Sequence, residues 1–139
     1  MREYIHNLEG SSLECAVAIA LGVSFTIQGN RVIAKRPHHP LGLAAGDACA
    51  FLSDDRLYQR ALMGSRIESR SLHDARRFVA YVNHGSPLPS AHQDEFSHYG
   101  RQPEIAALRC LVQSKNPAKD MIELPDDLCL AEAPHSPGM

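Results

Sequence analysis

Apolar residues recur every three to four positions near the N-terminus, and this spacing predicts an amphipathic helix over residues 11–21. Ser11 and Glu14 match the capping box, in which two side chains bond to the free backbone N–H groups at a helix start. Gly22 suits the left-handed conformation that closes a helix. The predicted apolar face of this helix contains Leu13, Val17, Ala20 and Leu21.

A second segment with the same period predicts a helix over residues 103–115. Pro103 favours the first helical turn, where its missing N–H group costs nothing. Arg109 lies about 40° beyond Ile105 around the helix axis, at the border of the apolar face. We therefore expect Arg109 either to cover the edge of the core with its stem while its head stays in water, or to contact a ligand. The apolar face contains Ile105, Leu108, Leu111 and Val112.

Alternating apolar and polar residues predict a β-hairpin over residues 23–35, with Gly29 and Asn30 in the turn. Prolines and glycines predict a loop over residues 36–47. Good N-cap residues predict a short helix over residues 53–64. Further strands are predicted over residues 48–52, 76–82 and 120–125.

These elements together predict an α+β fold, in which a small antiparallel sheet includes the hairpin and carries the N-terminal and C-terminal helices. The chain has 139 residues, enough for one hydrophobic core. We therefore expect one domain over residues 1–130. Residues 131–139 are predicted to be a disordered tail.

The charge and the cysteines narrow the classes of function. The net charge is −2, which argues against non-specific binding to nucleic acid or to a membrane surface. The longest nearly apolar run, residues 15–25, is too short to span a bilayer. The four cysteines are widely spaced in apolar contexts, and the polar N-terminus does not resemble a signal peptide. We interpret them as reduced, mostly buried thiols of a cytosolic protein.

Motifs for metal, cofactor or nucleophilic chemistry are missing from the sequence. His92, Glu95 and His98 would share a helical face, but this spacing matches no zinc signature, so we expect a polar loop and no metal. The chain contains no P-loop, nucleophile elbow or dinucleotide-binding glycine pattern. Cys110 lies opposite the apolar face of its helix, where we expect partial exposure. We predict no cofactor and no enzymatic activity.

Six arginines fall within 22 residues: Arg56, Arg60, Arg66, Arg70, Arg76 and Arg77. One interpretation is a solvated surface, since nearby Asp and Glu residues balance part of this charge. The other is a pocket for an anion, because the planar guanidinium binds phosphate in a bidentate manner. In that case the aromatic rings of Phe78, Tyr81 and Tyr99 would offer stacking surfaces for a base.

Two sets of residues at the chain ends, and a looser set between them, form a wider pattern. The first fits L-x-G-x-x-L-x-x-A-V-A and contains Leu8, Gly10, Leu13, Ala16, Val17 and Ala18. The second fits P-x-x-A-A-x-R-x-x-V-x-S-K followed by a V-E-V-P-like segment, and contains Pro103, Ala106, Ala107, Arg109, Val112, Ser114, Lys115 and residues 122–125. The chain thereby resembles the NinX-like family of small phage proteins of unknown function. Ser53 and Asp55 match the central S-x-D-W segment of that family, but the chain has no tryptophan.

The resemblance implies a phage protein that acts in the cytoplasm of the host bacterium. The layout is also similar to that of phage anti-Thoeris sponge proteins, which are oligomers that sequester cyclic ADP-ribose signals and hold phosphates with arginines. This likeness implies a homo-oligomer, dimeric or hexameric, that binds a cyclic nucleotide without cleaving it. Together with the interpretation of the arginine cluster as an anion pocket, this leads us to expect the following ligand-binding residues: Arg109, Arg56, Arg60, Phe78, Tyr99 and Ser53.

Two other functions stay open at the level of sequence. One is a protein-binding inhibitor of a host defence complex, comparable to an anti-CRISPR protein, which would need an exposed apolar or charged face. The other is a nucleotide-cleaving enzyme that uses a histidine of residues 92–98. Recovery of intact ligand, of a new product, or of neither distinguishes the three.

Overall fold

A computed structural model describes residues 2–63, 65–72, 77–82, 98–100, 102–126 and 128. These residues form three α-helices, one short 3₁₀ helix (Ile5–Asn7) and seven strands: β1 (Arg2–Tyr4), α1 (Gly10–Ala20), β2 (Phe25–Gln28), β3 (Arg31–Ala34), α2 (Asp55–Leu62), β4 (Ile67–Leu72), β5 (Arg77–Val82), β6 (His98–Gly100), α3 (Pro103–Lys115) and β7 (Met121–Glu123). The α+β class is confirmed. The strands form three small antiparallel sheets, β1–β7, β2–β3 and β4–β5–β6, rather than the one sheet expected.

The start of helix α1 differs from the sequence prediction, whereas its end agrees with it. The predicted capping box is wrong, because the carboxylate of Glu14 instead accepts a hydrogen bond from the backbone N–H of Leu52 at 3.1 Å. The end is as predicted: Gly22 has a φ of 76°. The N–H of Gly22 bonds to the carbonyl of Ile19 and that of Val23 to Ala18, which is the Schellman arrangement.

The predicted hairpin is confirmed as β2 and β3, in which Gln28 pairs with Arg31. Gly29 has a φ of 68°, and only this first turn residue is left-handed, as in a type II′ turn. The strand predicted over residues 48–52 is wrong. Ala48 forms one isolated bridge with Ile33, and the chain then turns into α2 through bonds from Ser53 and Asp54 to the carbonyl of Ala50.

Helix α3 has the predicted bounds but lies at the centre of the molecule. It contacts β4, β5 and β6 on one side and α1 on the other. Every residue from 105 to 112 is therefore buried, rather than one face. The expectation that Cys110 is partly exposed is wrong, because its side chain packs with Ala80, Ala106 and Ala107 against the sheet. Small side chains on this face allow the helix to approach the strands closely.

The two ends of the described chain meet in the β1–β7 sheet, where Arg2 pairs with Glu123. Strand β7 confirms the last predicted strand, and β5 confirms the one predicted over 76–82. Strands β1, β4 and β6 have no counterpart among the predictions. The main core extends from Ile5 to Leu128. The predicted tail, residues 131–139, lies outside the described residues.

Candidate functional site

A cleft of about 370 Å³ lies beside α2, and we call it the α2 cleft. Three segments form its walls: the loop around residue 42, the chain from 47 to 50, and the first turns of α2. The lining residues are Leu41, Gly42, Leu43, Asp47, Ala48, Ala50, Asp54, Arg56, Leu57 and Arg60. The cleft thus contains two members of the predicted arginine cluster.

Helix α2 forms here because its start is capped and its inner face is apolar. One carboxylate oxygen of Asp54 accepts hydrogen bonds from the N–H groups of Arg56 and Leu57, at 3.1 and 3.2 Å. Leu57 and Ala61 are buried and hold the helix against the core. Residues four apart on a helix lie on the same face, so Arg56 and Arg60 are neighbours at the cleft.

The two arginines are held differently. The guanidinium of Arg60 is partly buried, and its Nη1 donates to the carbonyl of Leu41 at 3.2 Å. Arg56 is exposed, and within the described residues its guanidinium has no hydrogen bond or salt bridge. Like charges four apart repel each other. An anion between them would relieve that repulsion and accept bonds from both.

Two carboxylates also line the α2 cleft and offset the arginine charges. The carboxylate of Asp54 is engaged by the helix N-terminus. The carboxylate of Asp47 accepts a hydrogen bond from the N–H of Ala44 at 2.8 Å. These three bonds fix the two carboxylates locally, and the arginines are the side chains of this cleft that have hydrogen-bond donors to spare.

Arg109 lies elsewhere, between α3 and the segment that precedes α1. It is 8% exposed, and its Nε donates to the carbonyl of Leu8 at 2.7 Å. Its Nη2 lies 3.8 Å from a carboxylate oxygen of Glu9. The expectation that its head stays in water is wrong. Its binding to a ligand phosphate stays a prediction, and Arg109 is not among the residues that line the α2 cleft.

The remaining predicted ligand residues are spread over the molecule. Phe78 is partly buried and packs on the sheet side of α3. The backbone of Tyr99 pairs with that of Val79 in the β4–β5–β6 sheet, and its side chain lies outside the described part. Ser53 is exposed and directly precedes Asp54. The apolar surface of the α2 cleft therefore comes from leucines and alanines rather than from aromatic rings.

The buried cysteine thiols are poorly suited to nucleophilic chemistry. Burial raises the pKa of Cys110 to about 12. Burial, with smaller effects of the Glu14 and Asp47 carboxylates, raises the pKa of Cys49 to about 11. Both thiols are therefore neutral near pH 7, whereas the thiolate is the reactive form. Cys15 and Cys49 are buried, as predicted for these thiols, and Cys110 is buried rather than partly exposed.

In the described part of the chain, no three His, Cys, Asp or Glu side chains are grouped so that they could hold a metal ion. Residues 92–97, which contain His92 and Glu95, lie outside that part. Among the same described residues, no helix has the length and apolarity needed to cross a membrane.

Sequence reasoning did not find one wall of the α2 cleft. It interpreted residues 36–47 as a plain loop. The loop is in fact closed by two backbone hydrogen bonds between His38 and Leu43, at 2.9 and 3.1 Å. Leu41 and Leu43 are buried. Two leucines between prolines and glycines were the available signal, since apolar residues in a loop indicate packing.

Comparison with known proteins adds no relative. No family model matches the chain, and a search of curated proteins finds no match. The resemblance to the NinX-like family stays a prediction.

Proposed function

We propose that this protein binds a small phosphorylated signal of the cyclic ADP-ribose type in the α2 cleft and sequesters it without cleaving it. The observation that supports this most is the arginine pair at the cleft. Arg60 is anchored by the Leu41 carbonyl, and Arg56 is exposed, with a guanidinium that has no hydrogen bond or salt bridge in the described residues. An anchored donor beside an unengaged one suits capture of a phosphate.

The size of the cleft favours a small ligand. Pockets for small molecules commonly measure about 300–1,000 Å³, and the α2 cleft, at about 370 Å³, is near the lower end. We therefore favour the cyclic ADP-ribose type over the larger cyclic oligonucleotides. Leu41, Leu43 and Leu57 supply apolar surface for the nucleoside part.

The biological setting in this proposal comes from the sequence resemblance. It is a phage protein in the host bacterial cytoplasm, where removal of an immune signal would protect the phage. Self-association as a dimer or hexamer belongs to the same proposal, and closed symmetry would be expected. Light scattering at micromolar concentration would show a particle larger than the 15.3 kDa chain. A monomer would remove self-association from the proposal.

Ligand recovery tests the function directly. The protein is incubated with cyclic ADP-ribose or cyclic di-AMP, filtered to remove free ligand, and heated, and the supernatant is analysed. Intact ligand supports sequestration, and a new product indicates an enzyme. If heating releases neither the ligand nor a product, nucleotide binding is overturned, and a protein partner in a host defence complex is favoured.

Arginine variants assign the binding to the cleft. We expect Arg56→Ala and Arg60→Ala each to weaken binding by about ten- to a hundredfold, since a charge-assisted hydrogen bond contributes roughly 1.5–3 kcal/mol. Arg31→Ala is the matched control, because Arg31 is exposed on β3 and is not among the lining residues. Equal binding by all three variants would place the site elsewhere.

A further inference from the structure

The Arg60 guanidinium lies so close to Gly42 that a side chain at position 42 would have to displace it. A Cβ atom at Gly42 would collide with Nη1 of Arg60 and lie 3.1 Å from Cζ and 3.8 Å from Nη2. The guanidinium of Arg60 thus lies directly against Gly42, on the side where a Cβ atom would be. The adjacent Leu41 carbonyl accepts the hydrogen bond from Nη1.

The loop that presents Gly42 is held in place from several sides. Its base is closed by the paired backbones of His38 and Leu43, and the N–H of Gly42 bonds to the carbonyl of His39 at 3.0 Å. The ring Nε2 of His38 lies 3.3 Å from the carbonyl of Leu21, at the end of α1. The loop therefore offers the guanidinium of Arg60 a surface of defined shape.

We infer that Gly42 is a positioning residue for phosphate binding, which holds the Arg60 guanidinium across the loop at the α2 cleft. This inference rests on the proposed function for its ligand. A guanidinium has five N–H donors, and the Leu41 carbonyl occupies one nitrogen, so the others can serve a phosphate. Because Arg60 is held before the ligand arrives, less side-chain freedom is lost on binding.

The chain contains a matched control for substitution at Gly42. Gly42 has a φ of 70°, so alanine there suffers backbone strain as well as the collision with Arg60. Gly46 has a φ of 92° in the following turn, is not among the lining residues, and has nothing within 4 Å of an added Cβ. Gly46→Ala thus reproduces the strain without displacing Arg60.

Binding of inorganic pyrophosphate, measured by calorimetry on protein shown to be folded by circular dichroism, tests the inference. We expect Gly42→Ala to weaken binding at least tenfold, like Arg60→Ala, and Gly46→Ala to stay within twofold of the wild type. The Gly42→Ala/Arg60→Ala double variant should bind no more weakly than the weaker single variant. Equal affinities of Gly42→Ala and Gly46→Ala would overturn the inference.

Urea unfolding of the same four variants separates this inference from the proposed function. If the wild-type protein binds neither pyrophosphate nor cyclic ADP-ribose, the proposed function fails and the ligand role of Gly42 fails with it. In that case the free energies of unfolding alone test the contact between Gly42 and Arg60. Non-additive losses in the double variant support the contact, and additive losses overturn it.

Discussion

At the scale of single residues, Arg109 explains how a charge is tolerated inside the most buried helix. Its guanidinium bonds to the Leu8 carbonyl and lies near the Glu9 carboxylate, while its stem lies in the core. A buried polar group without a partner costs more than the bond itself contributes. Arg109 and the carbonyl of Leu8 therefore satisfy each other, and together they join α3 to the start of α1.

We expect Arg109→Ala to lower the free energy of unfolding by roughly 1–3 kcal/mol, because the Leu8 carbonyl loses its buried donor. Arg109→Lys should recover only part of this loss, because lysine keeps the positive charge but lacks the planar guanidinium. Arg56→Ala is the control and should change stability by less than about 0.5 kcal/mol. Urea titration followed by circular dichroism measures these values. Equal stability of Arg109→Ala and Arg56→Ala would contradict the structural role.

The carboxyl of Glu14 makes stability depend on pH. Burial raises its pKa, although the bond from the Leu52 N–H acts in the opposite direction. A raised pKa in the folded state means that this group favours folding most below its unfolded pKa, about 4.3. That contribution is lost as the pH rises through the folded pKa.

Glu14→Gln keeps an acceptor for Leu52 and cannot ionise. We therefore expect it to be more stable than the wild type at pH 7, with the difference shrinking as the pH falls towards 4. Urea midpoints at several pH values measure this. A difference that does not vary with pH would mean that packing, rather than ionisation, distinguishes the two side chains.

At the scale of elements, Asp54 has two tasks at the start of α2. The carboxylate caps the helix and also lines the cleft beside the arginines. The first task needs an oxygen acceptor, which asparagine also supplies. The second concerns charge, which asparagine removes.

Asp54→Asn and Asp54→Ala separate these tasks. Asp54→Ala should cost about 1 kcal/mol of stability through loss of the cap, and Asp54→Asn should cost less. Both should bind pyrophosphate about threefold more tightly, if a unit charge ~7 Å away contributes ~0.6 kcal/mol in a water-like dielectric. Urea unfolding and calorimetry measure the two effects. Unchanged affinity in Asp54→Asn would show that the charge of residue 54 does not reach the ligand.

At the scale of the whole molecule, α3 divides the interior into two packed regions. The larger contains Cys15 and Cys49, and the smaller, between α3 and β5, contains Cys110. Because α3 contributes side chains to both regions, displacement of α3 from one region would also disturb its packing in the other. We expect a single cooperative unfolding transition, which is usual for a chain of this length.

The buried thiols report whether the two regions open together. With iodoacetamide at pH 8, we expect Cys15, Cys49 and Cys110 to be alkylated at one common rate, set by global unfolding. Mass spectrometry of the tryptic peptides resolves the three sites. Faster alkylation of Cys110 than of Cys15 and Cys49 would show that the sheet side of α3 opens independently of the main core.

Local interactions made part of this structure predictable from sequence. The bounds of α3, the hairpin turn at Gly29, the closure of α1 at Gly22 and the Asp54 cap each depend on residues within a few positions of one another. Turn and cap preferences act over that range, so a sequence read in order contains them. The pairing of Arg56 with Arg60 on one helix face is predictable for the same reason.

What tertiary structure decided is which of these surfaces became covered and by what. Arg109 bonds to a carbonyl 101 residues away, Glu14 to an N–H 38 residues away, and Arg60 to a carbonyl 19 residues away. Periodicity shows which face of α3 is most apolar, but not that a sheet covers the opposite face and buries Cys110. The α2 cleft likewise exists only where the loop at Gly42 docks beside α2. Such contacts arise from the packing of whole elements, whose free energy depends on surfaces that are far apart in sequence.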